Sequence, residues 1–249
     1  MRKEVSVLWA VVILGFVVST FAQQQPQNAD KVPQATTLLF REDFKSEKPG
    51  EVQLTQDAVI NPNLQLKVYG PGSKPGSTNQ SGLLLGNEED PTKPGTILSI
   101  VWTGVVDGPW AVMLRDKNIY LDLRGTARIH WRIRPRGFHY FRPVIKLADG
   151  TMLAPDYAEP TSTYFRESEI YFVDIPRWRV LDPDKVAESR LKAGEPMWRT
   201  NVDLSKVDEI GFSDMMGGAG HGAFGNVAVD WMEVYGNPVK RDVTQSEAR

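Results

Sequence analysis

Cysteine is absent from all 249 residues. That excludes disulfides, thiolate metal sites and lipid attachment at cysteine, so the fold has to be held by packing alone. An excess of positive charge is also missing. The chain carries 29 basic and 31 acidic residues, and removal of Arg2, Lys3 and Glu4 with a leader would leave 27 and 30, a formal charge of −3. Nucleic-acid binding domains usually show a clear basic surplus, so this balance gives no support for nucleic acid as a partner. Internal repeats are absent too. Helical periodicity is scarce, with only Pro183 to Lys192 patterned as a helix and Asp182 or Asp184 placed to cap it.

What is present begins with a targeting pattern. Arg2 and Lys3 precede an almost wholly apolar run from Val5 to Phe21, and Thr20-Phe21-Ala22 offers small residues before the polar Gln23 to Gln25. A secretory signal over residues 1–22 is expected, and with it a secreted or periplasmic protein that spans no membrane after cleavage. A retained membrane anchor is the alternative, although the run is near the lower limit for spanning. Residues 23–35 are polar and proline-bearing and read as a flexible leader, and residues 239–249 as a charged tail. Between them, residues 36–238 suffice for one domain with a substantial core.

Within that domain, short apolar runs alternate with Gly70-Pro71-Gly72, Pro94-Gly95, Gly108-Pro109 and Asp149-Gly150. Turn residues at this spacing between strand-length runs predict an all-β fold, an antiparallel β-sandwich or jelly roll. The most informative run is Thr126 to Arg134. Ala127, Ile129, Trp131 and Ile133 fall on one parity, and Arg128, His130, Arg132 and Arg134 on the other. Successive side chains of a strand point to opposite faces, so this is a half-buried strand with a cationic upper side. Guanidiniums suit bidentate contact with carboxylate or sulfate. Arg134 to Gly137 is short enough for a turn, and a hairpin there would bring Tyr140 and Arg142 beside His130 and Arg132. Asp122 and Glu169 are candidates to neutralise part of the row. Two readings stay open: a ligand site, or a ladder of cross-strand ion pairs on a solvated face.

Aromatic side chains offer a second component of a sugar site, because Trp and Tyr combine an apolar ring with a polar tip. Trp131 and Trp231 share parity with aliphatic neighbours and are assigned to the core. Trp110 and Trp178 lie beside turns and are assigned to the ligand surface. In the glycine-rich stretch from Gly217 to Gly225, the spacing of Gly220, Gly222 and Gly225 imitates a dinucleotide fingerprint, but a strand follows where that motif needs a helix. The segment reads as a loop offering His221.

The segment Val202 to Phe212, the glycine loop, and Val227 to Gly236 resemble the closing strands of galactose-binding-like β-sandwich modules. The same segments, with the turn Lys146 to Thr151, resemble a group of uncharacterised secreted bacterial proteins of that shape. The resemblance covers about half of the chain and implies carbohydrate as the partner, with a structural calcium as the one cofactor. The positions matching its acidic ligands are Glu42 or Asp43, and Asp230.

For enzymes, the closely spaced acids of a retaining lectin-like glycosidase, Glu-x-Asp-x-x-Glu, do not occur. An acidic-polysaccharide lyase would need a cation against the uronate and a proton acceptor, for which Arg132, His130 and Tyr140 are the right types. The expectation is a non-catalytic carbohydrate-binding sandwich for a glycan that carries negative charge, contacted by Arg128, His130, Arg132, Arg134, Tyr140, Arg142, Trp110, Trp178 and His221. A polysaccharide lyase or glycoside hydrolase acting on an acidic glycan is the alternative.

Overall fold

A computed structural model describes residues 37–45, 52–74, 82–106, 108–137, 139, 141–188, 197–215 and 226–241. The expected signal and leader, Tyr140, His221 and the end of the tail lie outside them. The strands, in chain order, are β1 (Thr37–Glu42), β2 (Val52–Gln53), β3 (Leu64–Tyr69), β4 (Leu83–Glu89), β5 (Ile97–Thr103), β6 (Trp110–Asp116), β7 (Ile119–Asp122) and β8 (Arg128–Pro135). They continue as β9 (Phe141–Leu147), β10 (Met152–Pro155), β11 (Arg166–Tyr171), β12 (Trp178–Asp182), β13 (Ala187–Glu188), β14 (Trp198–Arg199), β15 (Val207–Asp214) and β16 (Val227–Lys240). The last strand therefore extends two residues beyond the expected domain end at 238.

Every pairing is antiparallel, and the strands form two layers. The first runs β11–β8–β16, and on the far side of β16 come β1 and β5, then β4 and β2. The second runs β3–β6–β15–β9–β10–β12, with β13 and β14 on β12. β16 joins the two: Val227–Tyr235 pairs with β8, and Asn237–Lys240 pairs with β7 of the second layer. Parity explains the core. Ile129, Trp131 and Ile133 of β8 turn inward to meet Phe141, Ile145 and Phe212 of the second layer in one buried cluster. An aromatic chain crosses it, with ring centroids 4.9 Å apart for Trp131–Phe141, 5.4 Å for Phe141–Phe212 and 6.1 Å for Trp110–Phe212. The expected β-sandwich is present.

Three local expectations are corrected. β8 and β9 do not form a hairpin: Arg134 and Pro135 still belong to β8, paired with Ala228 and Val227 of β16, and β9 pairs in the other layer with β15 and β10. The helical pattern after Asp182 is, over its described residues, a turn followed by β13. Asp182 caps that turn, its carboxylate accepting from the Asp184 N–H at 3.0 Å and its carbonyl from Lys185 and Val186. Val186 then adopts a left-handed φ of 48° and is buried against the second layer, which a continuing helix would not allow. Finally, β16 has a bulge between Val229 and Trp231, so Asp230 and Trp231 both oppose Arg132. The extra residue reverses the parity that had assigned Trp231 to the core.

Candidate functional site

On the outer face of the first layer, β11, β8, β16 and β1 set their outward side chains in transverse rungs. The first holds Tyr171, Arg128 and Tyr235. The Arg128 guanidinium lies 3.8 Å from the Tyr235 ring centroid and 5.7 Å from that of Tyr171, and its Nε donates to Glu169 at 3.2 Å. The second rung holds Glu169, His130, Glu233 and Arg41. His130 Nδ1 is 3.1 Å from Glu233 Oε2, and its Nε2 is 3.5 Å from Glu167 Oε2. Arg41 donates to Glu233 at 2.7 Å and the Tyr235 hydroxyl donates at 2.9 Å. Burial pushes the Glu233 carboxyl up, but Arg41, Tyr235 and His130 outweigh it and hold the group below its usual range.

The third rung holds Glu167, Arg132 and Trp231. The two Nη groups of Arg132 reach Asp230 at 2.7 Å and Asp90 at 2.8 Å. Burial raises the Asp230 carboxyl against the pull of Arg132. Asp90 is held down at about 2 by the Thr92 hydroxyl and backbone N–H, with burial opposing and Arg132 assisting. The Trp231 ring sits 4.3 Å below the Arg41 guanidinium and edge-on to His130 at 4.8 Å. Over the three rungs, the guanidiniums of Arg41, Arg128 and Arg132 face six carboxylates: Asp43, Asp90, Glu167, Glu169, Asp230 and Glu233. The cationic row of the sequence is thus embedded in an acidic lattice.

Beyond the third rung, the Phe165 ring covers Arg132 and Arg134, with guanidinium carbons 5.2 and 4.6 Å from its centroid. Arg134 is buried and donates both Nη groups to Glu88. A hollow of about 240 Å³ then opens between β4, β5 and the end of β8, lined by Asn87, Glu88, Trp102, Arg134, Arg136 and Asn226. The Asn226 carbonyl accepts the Arg136 backbone N–H at 2.8 Å, which anchors the strand end at this edge. A larger cleft of about 470 Å³ lies between Leu123–Gly125, the Phe172–Pro176 segment and Asn201–Leu204. Its walls are mainly apolar, and Arg124 there is bonded to both oxygens of Asp122.

The expected site residues divide accordingly. Arg128, His130, Arg132 and Arg134 share one face. Arg142 does not join them: it stands on the outer face of the second layer, with Nη1 donating to the carbonyls of Pro155 and Tyr157 at 3.0 and 3.2 Å. Trp110 and Trp178 are 1 % and 3 % exposed, since adjacency to a turn in sequence did not prevent both rings from entering the core. The three acids matched to calcium do not converge. Glu42 points inward and accepts the backbone N–H groups of Phe44, Ile60 and Asn61 at 2.9, 3.0 and 3.1 Å, whereas Asp43 is bonded to Arg41 and Asp230 to Arg132. No group of three or more His, Asp or Glu suited to a metal ion occurs among the described residues. Residues the sequence reading missed are Arg41, Tyr171, Tyr235, Trp102, Arg136 and Asn226. Arg136 continues the even parity of Arg128 to Arg134, and Tyr235 shares the parity of Glu233. Both signals were legible.

No family model matches the chain, and no curated protein matches it. Among solved structures it is similar to a family 11 carbohydrate-binding module from Clostridium thermocellum in complex with a β-1,3-1,4-mixed-linked tetrasaccharide. The identity is 17 % and the TM-score 0.40, over 78 % of this chain and 99 % of the module. An exo-β-agarase is similar at 10 % identity and a TM-score of 0.38, over 78 % of this chain and 25 % of that enzyme. β-Agarase B from Zobellia galactanivorans follows at 11 % identity and a TM-score of 0.26, over 76 % and 99 %. The sandwich architecture of this chain rests on its own strand pairing and shared core.

Proposed function

We propose that this is an exported carbohydrate-binding β-sandwich that receives a glycan on the outer face of its first layer and performs no covalent chemistry on it. The observation that carries this reading is the rung lattice. Tyr171, Tyr235 and Trp231 are half-buried, their rotamers fixed by cation–π and hydrogen-bond partners, on a face where Glu167 and Glu169 remain open to solvent. Amphipathic side chains held in place lose little freedom on binding, and exposed carboxylate oxygens accept sugar hydroxyls. A broad sheet face suits an extended polymer better than a small molecule.

The same geometry supports the non-catalytic reading. His130, the residue best typed for proton abstraction, has a carboxylate beside each ring nitrogen, and Arg132 has both Nη groups engaged. With acids outnumbering guanidiniums, the lattice favours hydroxyl groups over anions as its own partners. Affinity electrophoresis through gels containing a neutral mixed-linkage glucan, agarose or pectin tests the proposal. Wild-type protein should be retarded by at least one polymer. The Tyr171→Ala/Tyr235→Ala double variant, if its melting transition stays cooperative, should lose about tenfold in affinity, on the order of 1.4 kcal/mol for two aromatic contacts. Migration unaffected by every polymer, or retardation unchanged in the double variant, overturns it.

A further inference from the structure

The hollow beyond Phe165 differs from the lattice in one respect: two of its buried polar atoms have no partner among the described residues. Arg134 gives both Nη groups to Glu88, but its Nε is buried and has no hydrogen-bond partner among the described residues. The Asn226 Oδ1 is likewise buried and accepts nothing from the described residues. Among the described residues Arg136 makes no ion pair. Its one side-chain hydrogen bond goes from Nη2 to the Thr163 carbonyl at 3.4 Å, near the limit of such contacts. Burial and the neighbouring Arg134 lower its proton affinity below the usual guanidinium value, with Glu88 opposing. One wall is the partly exposed Trp102 ring, packed beside Ile100 on β5.

These features are complementary to one kind of ligand. A guanidinium without a counter-ion, half-withdrawn from water, gains most from a bidentate oxyanion. An unmet amide oxygen calls for a hydroxyl donor, and a tryptophan face for an apolar ring surface. The volume, just under the lower end of ordinary small-molecule pockets at about 300 Å³, admits one small ring. Glu88 does not cancel the attraction, because its charge is spent on Arg134. We infer that this hollow is a subsite for a single acidic sugar residue, whose carboxylate or sulfate sits on Arg136, whose hydroxyl donates to Asn226 Oδ1 and whose ring packs on Trp102. The inference rests on the carbohydrate-binding reading and adds to it the ligand class: a glycan bearing anionic groups, engaged by hydroxyls on the acidic lattice and by charge at the hollow. Arg132 and Arg136 are four residues apart, about 13 Å along an extended chain at about 3.3 Å per residue.

Binding of sodium glucuronate, its uncharged methyl ester and galactose 6-sulfate, followed by titration calorimetry or by the Trp102 indole resonance, tests this. The acid or the sulfate should bind about tenfold tighter than the ester, and whichever of the two does so identifies the group. Arg136→Ala should abolish that preference, Arg136→Lys should keep part of it, and Tyr235→Ala should leave it intact. Equal affinities for all three sugars in the wild type, or a preference that survives Arg136→Ala, overturns the inference. Neutral polymers retained without any acid preference would sink the subsite alone. An acid preference without retention by any polymer would sink the carbohydrate-face proposal alone.

Discussion

Glu42 offers a sharp test of how this sandwich is held together, because its carboxylate is fully buried yet bonded only to backbone. Its Oε1 accepts from Phe44 and Ile60 and its Oε2 from Asn61, which pins the segment after β1 to the segment before β3. In Glu42→Ala three amides, that of Phe44 buried and those of Ile60 and Asn61 partly so, lose their acceptor. At about 1 kcal/mol for each orphaned donor the loss is about 3 kcal/mol, equivalent to a fall in Tm of about 6–12 °C in a domain of this size. Glu42→Gln keeps one carbonyl oxygen for Phe44 and Ile60 and sets an amide N–H against Asn61. Its loss should be nearer 1 kcal/mol. Burial, opposed by the three backbone N–H groups, leaves the Glu42 carboxyl above its ordinary value. The folded state therefore holds this proton more tightly than the unfolded state, so wild-type stability falls as pH rises from about 4.5 toward the folded value. The Gln variant should lack that component. Urea unfolding of the three proteins between pH 4 and 8, with and without chelator, measures all of this. Equal losses in the Ala and Gln variants, or a calcium-dependent gain in wild-type Tm that Glu42→Gln removes, would refute a purely backbone-stapling role.

Two further outcomes are expected. Asp90, held at about 2, lies below its unfolded value near 3.9, so the stability it contributes is present above about pH 4 and lost as pH falls toward 2. Thr92→Val removes the hydroxyl donor at 2.7 Å and should move the acid transition to higher pH, and an unmoved transition by circular dichroism would contradict the assignment. At Gly211 an added Cβ would lie 1.9 Å from the Val112 carbonyl oxygen, whereas at Gly150, with φ of 89°, it would meet nothing within 4 Å. Gly211→Ala should cost about 3 kcal/mol by forcing two strands apart, and Gly150→Ala about 1 kcal/mol of backbone strain. Similar melting temperatures for the two variants would show that β6 and β15 can separate more easily than their packing suggests.

Much of the architecture was legible because it is local. The alternation from Thr126 to Arg134 gave β8 its inner and outer faces correctly, and the glycine and proline punctuation separated most strands. What escaped was non-local. The partners of the cationic row come from Glu88, Asp90, Glu169, Asp230 and Glu233, up to about a hundred residues away, and no local pattern reveals which acid meets which guanidinium. One inserted residue at Asp230 was enough to turn Trp231 outward. The placement of Arg142 failed for a topological reason: a short connection serves equally for a hairpin and for a step between layers, and only the hydrogen-bond partners of β9 decide between them. Trp110 and Trp178 show that a position next to a turn does not predict exposure when the flanking strand belongs to the core.

The reach of β16 has a kinetic consequence. Its two halves complete opposite layers, and the earliest described strand, Thr37–Glu42, pairs with residues 232–236 near its far end. Loops of about a hundred residues for β8, β7 and β5, and of nearly two hundred for β1, must close before these strands gain their shared neighbour, which makes the topology slow to assemble. Until β16 docks, the edges of four strands stay available to wrong partners, so a chain truncated before Val227 should aggregate where the full chain folds.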